Sequence, residues 1–298
     1  MPAAAATMGH ARRVGMGATA SLAATREFEF LSCTMAPDHE HVQSAGMHGY
    51  RDYIAEGVVE GVKRVRGVLE IEPRGDDLAF ILPYILGAAA SGNNFALAET
   101  LPDFILDVDK GPKICRYAGC KVNSATFKSS AGRPLSVSLD IIGMTEDSTI
   151  TPFPNIVATL STQQPYVHHQ GVMTINSVVY NADELELMID NALLGDRFYQ
   201  SQTLIGIPEG DRIVTVAFTT PFTTDENALY NLAVGGLGGS LVYTNGGLSF
   251  TSTFGKLQKP QKGPGIPAKV QEVTNRHAFQ SRRTGATPSI AVINDSTP

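Results

Sequence analysis

The chain lacks tryptophan, has three cysteines, and carries few charges: Asp, Glu, Lys and Arg make up 17% of its 298 residues. An ordinary soluble domain has about 25%, so part of this surface is expected to be hidden against other chains. Three cysteines do not make a disulfide framework. Cys33 stands alone, and Cys115 and Cys120 have no histidines at zinc-site spacing, so all three read as free thiols in a reducing compartment. A long apolar run is also missing. The longest nearly uncharged one, Leu78 to Ala90, contains Pro83 and falls short of the roughly 20 residues that cross a bilayer. The Ala-rich start meets Arg12 and Arg13 with no apolar segment between, so no signal peptide and no membrane partner are expected. Positive charge is outnumbered, 23 against 29, giving a net charge of −6. That balance argues against a surface that grips nucleic acid and permits one that repels it.

Catalytic signatures are sparse too. There is no Gly-x-Ser-x-Gly elbow and no Walker-type phosphate loop. Gly235-Gly236-Leu237-Gly238-Gly239 follows an expected helix instead of opening one, the wrong order for cradling phosphate. It reads as a turn. Asp38-His39-Glu40-His41 is the densest set of potential metal ligands. A strand would put His39 and His41 on one face, where zinc would need a third ligand from elsewhere; a solvated polar turn is the simpler reading. His168 and His169 are adjacent and diverge on a strand. Glu70/Glu72 and Glu184/Glu186 stand at i, i+2, roughly 6.5–7 Å apart along a strand. That separation suits a glycosidase, but the outer faces of amphipathic strands explain it more simply. No catalytic residue, metal or cofactor is assigned.

Apolar residues, at 43%, suffice for a packed core, and 29 glycines with 17 prolines point to short strands and long loops. Alternation with period two dominates. Leu69 and Ile71 alternate with Glu70 and Glu72; Leu135, Val137, Leu139 and Ile141 with Ser136, Ser138 and Asp140. Leu185, Leu187 and Ile189 alternate with Glu184, Glu186 and Asp190; Val214, Val216 and Phe218 with Thr215 and Thr219. Asn245-Gly246-Gly247 between two strand-like runs predicts a hairpin over 241–254. A helix is expected over 77–86, shortened or kinked by Pro83. A second is expected over 225–234, opened by the capping box Thr223/Glu226 and stopped by Gly235-Gly236. The order strand, helix, hairpin occurs twice, about 60–143 and 171–255, which suggests a pseudo-repeat. Residues 1–20, 144–170 and 255–288 read as loop-like. The C-terminal stretch 256–298 is a basic arm carrying Lys256, Lys259, Lys262, Lys269, Arg276, Arg282 and Arg283, with a last strand at Ser289 to Ile293. Such an arm makes sense lying on an acidic neighbour or returning to the sheet.

Two stretches resemble the tail tube (major tail) proteins of long-tailed bacteriophages. One runs from Tyr117 through Gly119-Cys120-Lys121-Val122-Asn123-Ser124 to Phe127, then from Gly132-Arg133-Pro134 through the alternating strand to Gly143. The other is Leu187-Met188-Ile189-Asp190-Asn191-Ala192-Leu193, followed by strand 213–219 and the expected helix at Thr223–Ala233. The resemblance covers roughly residues 20–255, so the tube domain is placed at 21–255 after an extended segment 1–20. It implies a mainly β fold, a β-sandwich or split barrel with one or two short flanking helices and long loops. It implies a structural virion protein that assembles with itself into rings, hexameric, or trimeric where one chain carries two modules. Stacked rings form the conduit for genome DNA, which passes without specific binding. Tape-measure, tail terminator, baseplate and sheath proteins are the implied neighbours, and assembly in the host cytoplasm the implied setting. An acidic bore would repel phosphate, so Glu70, Glu72, Asp140, Glu184, Glu186 and Asp190 are candidates for the lumen. The alternatives are a β-rich hydrolase of envelope polymer, or another tail ring component, a terminator or baseplate hub.

Overall fold

The structure is a computed structural model that describes residues 12–21, 23–46, 52, 55–150, 153, 161–222, 229, 236–259 and 273–296. In chain order its strands are β1 (Val14–Ala18), β2 (Arg26–Phe28), β3 (Phe30–Cys33), β4 (Ala36–Gln43), β5 (Val58–Ile71), β6 (Asn94–Phe95), β7 (Phe104–Asp109), β8 (Ile114–Ser130) and β9 (Ser136–Gly143). They continue as β10 (Thr145–Asp147), β11 (Gly171–Ile175), β12 (Val178–Tyr180), β13 (Glu184–Asp190), β14 (Ile213–Pro221), β15 (Leu237–Asn245), β16 (Leu248–Gln258), β17 (Thr274–Arg282) and β18 (Ile290–Asn294). Helix α1 (Gly75–Leu86) stands between β5 and β6. The chain is mainly β, as its alternation predicts.

Alternation sets which face each strand buries. Val137, Leu139 and Ile141 of β9 are buried, and so are Leu185, Leu187 and Ile189 of β13 and Val214, Val216 and Phe218 of β14. Register then joins the strands into one antiparallel ribbon in the order β3/β4, β5, β9, β8, β13, β14, β17, β16, β15, β11, β12. β1 lies between β2 and β7, and β7 and β10 flank the first half of β8. The ribbon does not close into a barrel. It folds over, so that Phe127 of β8 stacks on Phe250 of β16 with ring centres 5.7 Å apart. Buried residues from Val14 to Val292 form one continuous apolar core between these layers.

Helix α1 covers one side of this core. Phe80 meets Phe28 edge-on at 5.9 Å, and Tyr84 meets Phe104 at 5.4 Å. Its first turn is clamped by Arg26, whose Nη2 lies 2.9 Å from Asp76 and 2.8 Å from Asp77. Pro83 does not end the helix, which continues to Leu86. It stops at Gly87, where φ of 102° suits a residue without a Cβ and the N–H donates to the Pro83 carbonyl. The second expected helix lies outside the described residues apart from Leu229, which is helical and buried.

Three stretches that read as loops contain strands. β1 falls within 1–20, β10 within 144–170 and β17 within 255–288. The reason is clearest at β17. Its inward positions are Asn275, His277, Phe279 and Ser281, all buried, so three polar side chains stand where alternation looks for apolar ones.

Candidate functional site

The side of the ribbon turned away from the core is a polar face, and its rows follow from register. Ser32, Glu70, Ser138, Thr126, Met188, Thr215 and Gln280 form one row from β3 to β17. Beside it Asp140, Ser124 and Asp190 form a second, and Ser136, Lys128, Glu186 and Ala217 a third. Serine and threonine are the commonest residues in these rows, so the face is rich in hydroxyl groups. Asp140 and Asp190 each pair with Ser124, which sets their Cα atoms about 10 Å apart, two strand spacings.

Five of the six acids singled out in the sequence share this face: Glu70 on β5, Asp140 on β9, and Glu184, Glu186 and Asp190 on β13. Glu72 lies beyond β5, half-buried in the turn before α1. Their partners differ. Glu70 accepts from the Ser32 hydroxyl at 2.9 Å, Asp140 from the Asn123 amide at 2.7 Å and Asp190 from the Ala192 N–H at 2.9 Å. These neutral donors leave the negative charge in place. Glu186 is ion-paired to Arg276 at 3.2 Å and sits across from Lys128, so its charge is locally balanced.

The basic residues spread over several settings. Arg276 and Arg282 lie on β17 and Lys256 on β16, where Lys256 stands directly across from Arg282. Arg283 follows β17 and donates to the Gly285 carbonyl at 3.1 Å. Lys259 is buried, hydrogen-bonded to His277, with its ammonium 5.1 Å from the Phe279 ring centre. Lys262 and Lys269 lie outside the described residues.

One end of the polar face is covered by the segment between β13 and β14. Leu193, Leu204 and Ile207 close over Ile142 and Leu101 in a second small core. Two polar pins hold the segment, and sequence reasoning missed both. Asn191 is buried and donates to the carbonyls of Ile85 and Val122, while its own carbonyl accepts from Arg212 at 2.8 Å. Lys121 meets Glu209 at 2.8 Å, and Glu209 also accepts from the Leu101 N–H. Burial alone would raise the Glu209 carboxyl, but these donors outweigh it and hold it below its ordinary value. Neither pin has a sequence signal, because each joins residues far apart in the chain.

The remaining candidates read as structural. Asp38 pairs with Arg64 at 2.8 Å, and His39 and His41 lie exposed on β4. His168 bridges the Ser129 hydroxyl and the Ala182 carbonyl. Burial pushes the thiols of Cys33, Cys115 and Cys120 up, away from the reactive thiolate. Among the described residues no group of three or more His, Cys, Asp or Glu is placed to hold a metal. None of their helices is long and apolar enough to cross a membrane. Of the acid pairs, Glu184 and Glu186 share the sheet face, whereas Glu70 lies on that face and Glu72 beyond the end of β5. A family model described as phage tail tube protein matches residues 4–281 of the chain. No curated protein matches it.

Proposed function

Because the chain belongs to the phage tail tube protein family, it is a structural protein of the virion tail, and we propose that its polar sheet face lines the bore of the tube. Tail tube proteins assemble with themselves and associate with other tail components. The finer reading is that rings of this chain, hexameric or trimeric, stack into a conduit for double-stranded DNA. Assembly takes place in the host cytoplasm, with tape-measure, terminator, baseplate and sheath proteins as the neighbours.

One observation carries this reading. Glu70, Asp140, Glu184 and Asp190 lie on a single face rich in hydroxyl groups, and the donors seen at Glu70, Asp140 and Asp190 are neutral. Negative charge on a wall keeps phosphate from lodging there, and small side chains keep the wall smooth. Glu186 contributes less, since Arg276 and Lys128 balance it. Lys256, Arg282 and Arg283, together with Lys262 and Lys269, are then free of the wall's task and suit contacts to an acidic neighbouring subunit.

Electron microscopy of concentrated protein tests the assembly: stacked tubes are expected, and single rings would favour a terminator or hub. For the wall, Glu70, Asp140 and Asp190 are replaced together by lysine in the phage. Tubes should still form and DNA ejection should slow, with infectivity reduced. Intact infectivity in that triple variant would remove the acidic-bore reading.

A further inference from the structure

Two series of strands in this chain are paired alike. β1 pairs with β2 and β7; β11 pairs with β12 and β15. β3 and β4 lie beside β5, which pairs with β9; β13 lies beside β14, which pairs with β17. β7 and β8 form a hairpin, as do β15 and β16. One edge of β8 takes β10 and then β9; one edge of β16 takes β18 and then β17. Helix α1 follows β5, and Leu229, helical and buried, follows β14.

We propose that the chain is two copies of one module, residues 14–147 and 171–294, and that the outer edge of β3–β4 docks on the second module of another copy. The join inside the chain supplies the template. There β13 of the second module pairs with β8 of the first, Glu184–Asp190 against Ser130–Ser124. The two sides of that contact are different elements, so it is heterologous, and a heterologous contact repeats into a ring or filament. In the first module β3–β4 holds the place of β13. Aligned on the strand ends Ile71 and Pro221, the stretch answering to β13 begins near Cys33 and runs to His39. Among the described residues no strand pairs with the far edge of β3–β4.

That edge is dressed for a partner that arrives after folding. Pro37 offers no N–H, and the Met35 carbonyl already accepts from Tyr117 and Lys110. Beyond it, Ala36, Pro37 and His39 to Gln43 are exposed. Pro37 and the occupied Met35 carbonyl interrupt a ladder there, which spares the lone chain from indiscriminate edge pairing. Charge is complementary: Asp38 and Glu40 share one arginine, Arg64, while the described end of β16 brings Lys256 across from Arg282. The inference rests on the tube reading for assembly itself, and it favours the trimeric ring over the hexameric one.

The test uses the full chain, assembled from a mixture of normal and nitrogen-15-labelled protein, and an amine-to-amine crosslinker. Links of mixed isotope between Lys63, which pairs with His39, and Lys256 are expected. Mixed links from Lys63 that lead only to the first module of the other chain, or their absence from assembled tubes, would overturn the docking. Glu40→Lys should cut tube yield by at least about tenfold without changing the monomer's circular dichroism; an unchanged yield would count equally against it. Protein that forms no tubes at all would instead refute the function proposed above.

Discussion

The β8–β13 seam is a paired strand edge, the outer edge of β3–β4 is unpaired among the described residues, and the two differ in chemistry. Along the seam Leu185, Leu187 and Ile189 turn inward across from Ser129, Phe127 and Ala125, all of them buried. Along the edge most exposed residues are polar, small or prolyl, with Leu31 open at 57% and Val42 and its cross-strand partner Val59 at 59% and 61%. An edge joined within the chain is sealed by apolar burial as the chain folds. An unpaired edge has to stay soluble without collapsing onto the wrong strand.

The largest expected difference between the two is in stability. Leu187→Ala should cost about 2–5 kcal/mol, since it opens a cavity in a fully packed site. Val42→Ala on the edge should cost less than about 0.5 kcal/mol. Denaturant midpoints of the two variants decide it, and similar losses would erase the distinction. Acid gives a local and smaller effect. Glu209 pins the segment after β13 onto β8, and its carboxyl is held below the ordinary 4.5. A depressed carboxyl contributes stability that is present above its unfolded value and lost as pH falls through the folded one. Amide protection of residues 193–207 should therefore fade below pH 4.5 while β13 itself stays protected; fading above pH 6 would contradict the assignment. The smallest effect belongs to the outer side of the seam. Glu186→Gln removes a solvent-exposed pair with Arg276, worth about 0–1 kcal/mol. A thermal shift larger than Leu187→Ala gives would mean that charge, not burial, holds the seam.

Much of this was legible in the sequence where one residue type served one purpose. The alternation over 136–143, 184–190 and 213–219 reports burial directly, and Asn245-Gly246-Gly247 marks its hairpin. The acids at 70, 140, 184, 186 and 190 alternate with core residues, so their common orientation is implied by period two. That they share one face across β5, β9 and β13 is not, because it depends on a register between strands far apart in the chain. β17 was hidden for a different reason: its inward positions include the polar Asn275, His277 and Ser281, of which His277 meets Lys259 and Ser281 donates to the Ser289 carbonyl. The pins at Asn191 and Lys121 escape for the same reason as the register.

The stacking of Phe127 on Phe250 ties this geometry to how the chain breaks and reforms. These rings come from different halves of the sequence, and the core around them draws on residues from Val14 to Val292. Heating should therefore give a single cooperative melting transition instead of two. Cutting the chain between β10 and β11 would strand an apolar wall on each fragment, so the pieces would recover native structure only when mixed.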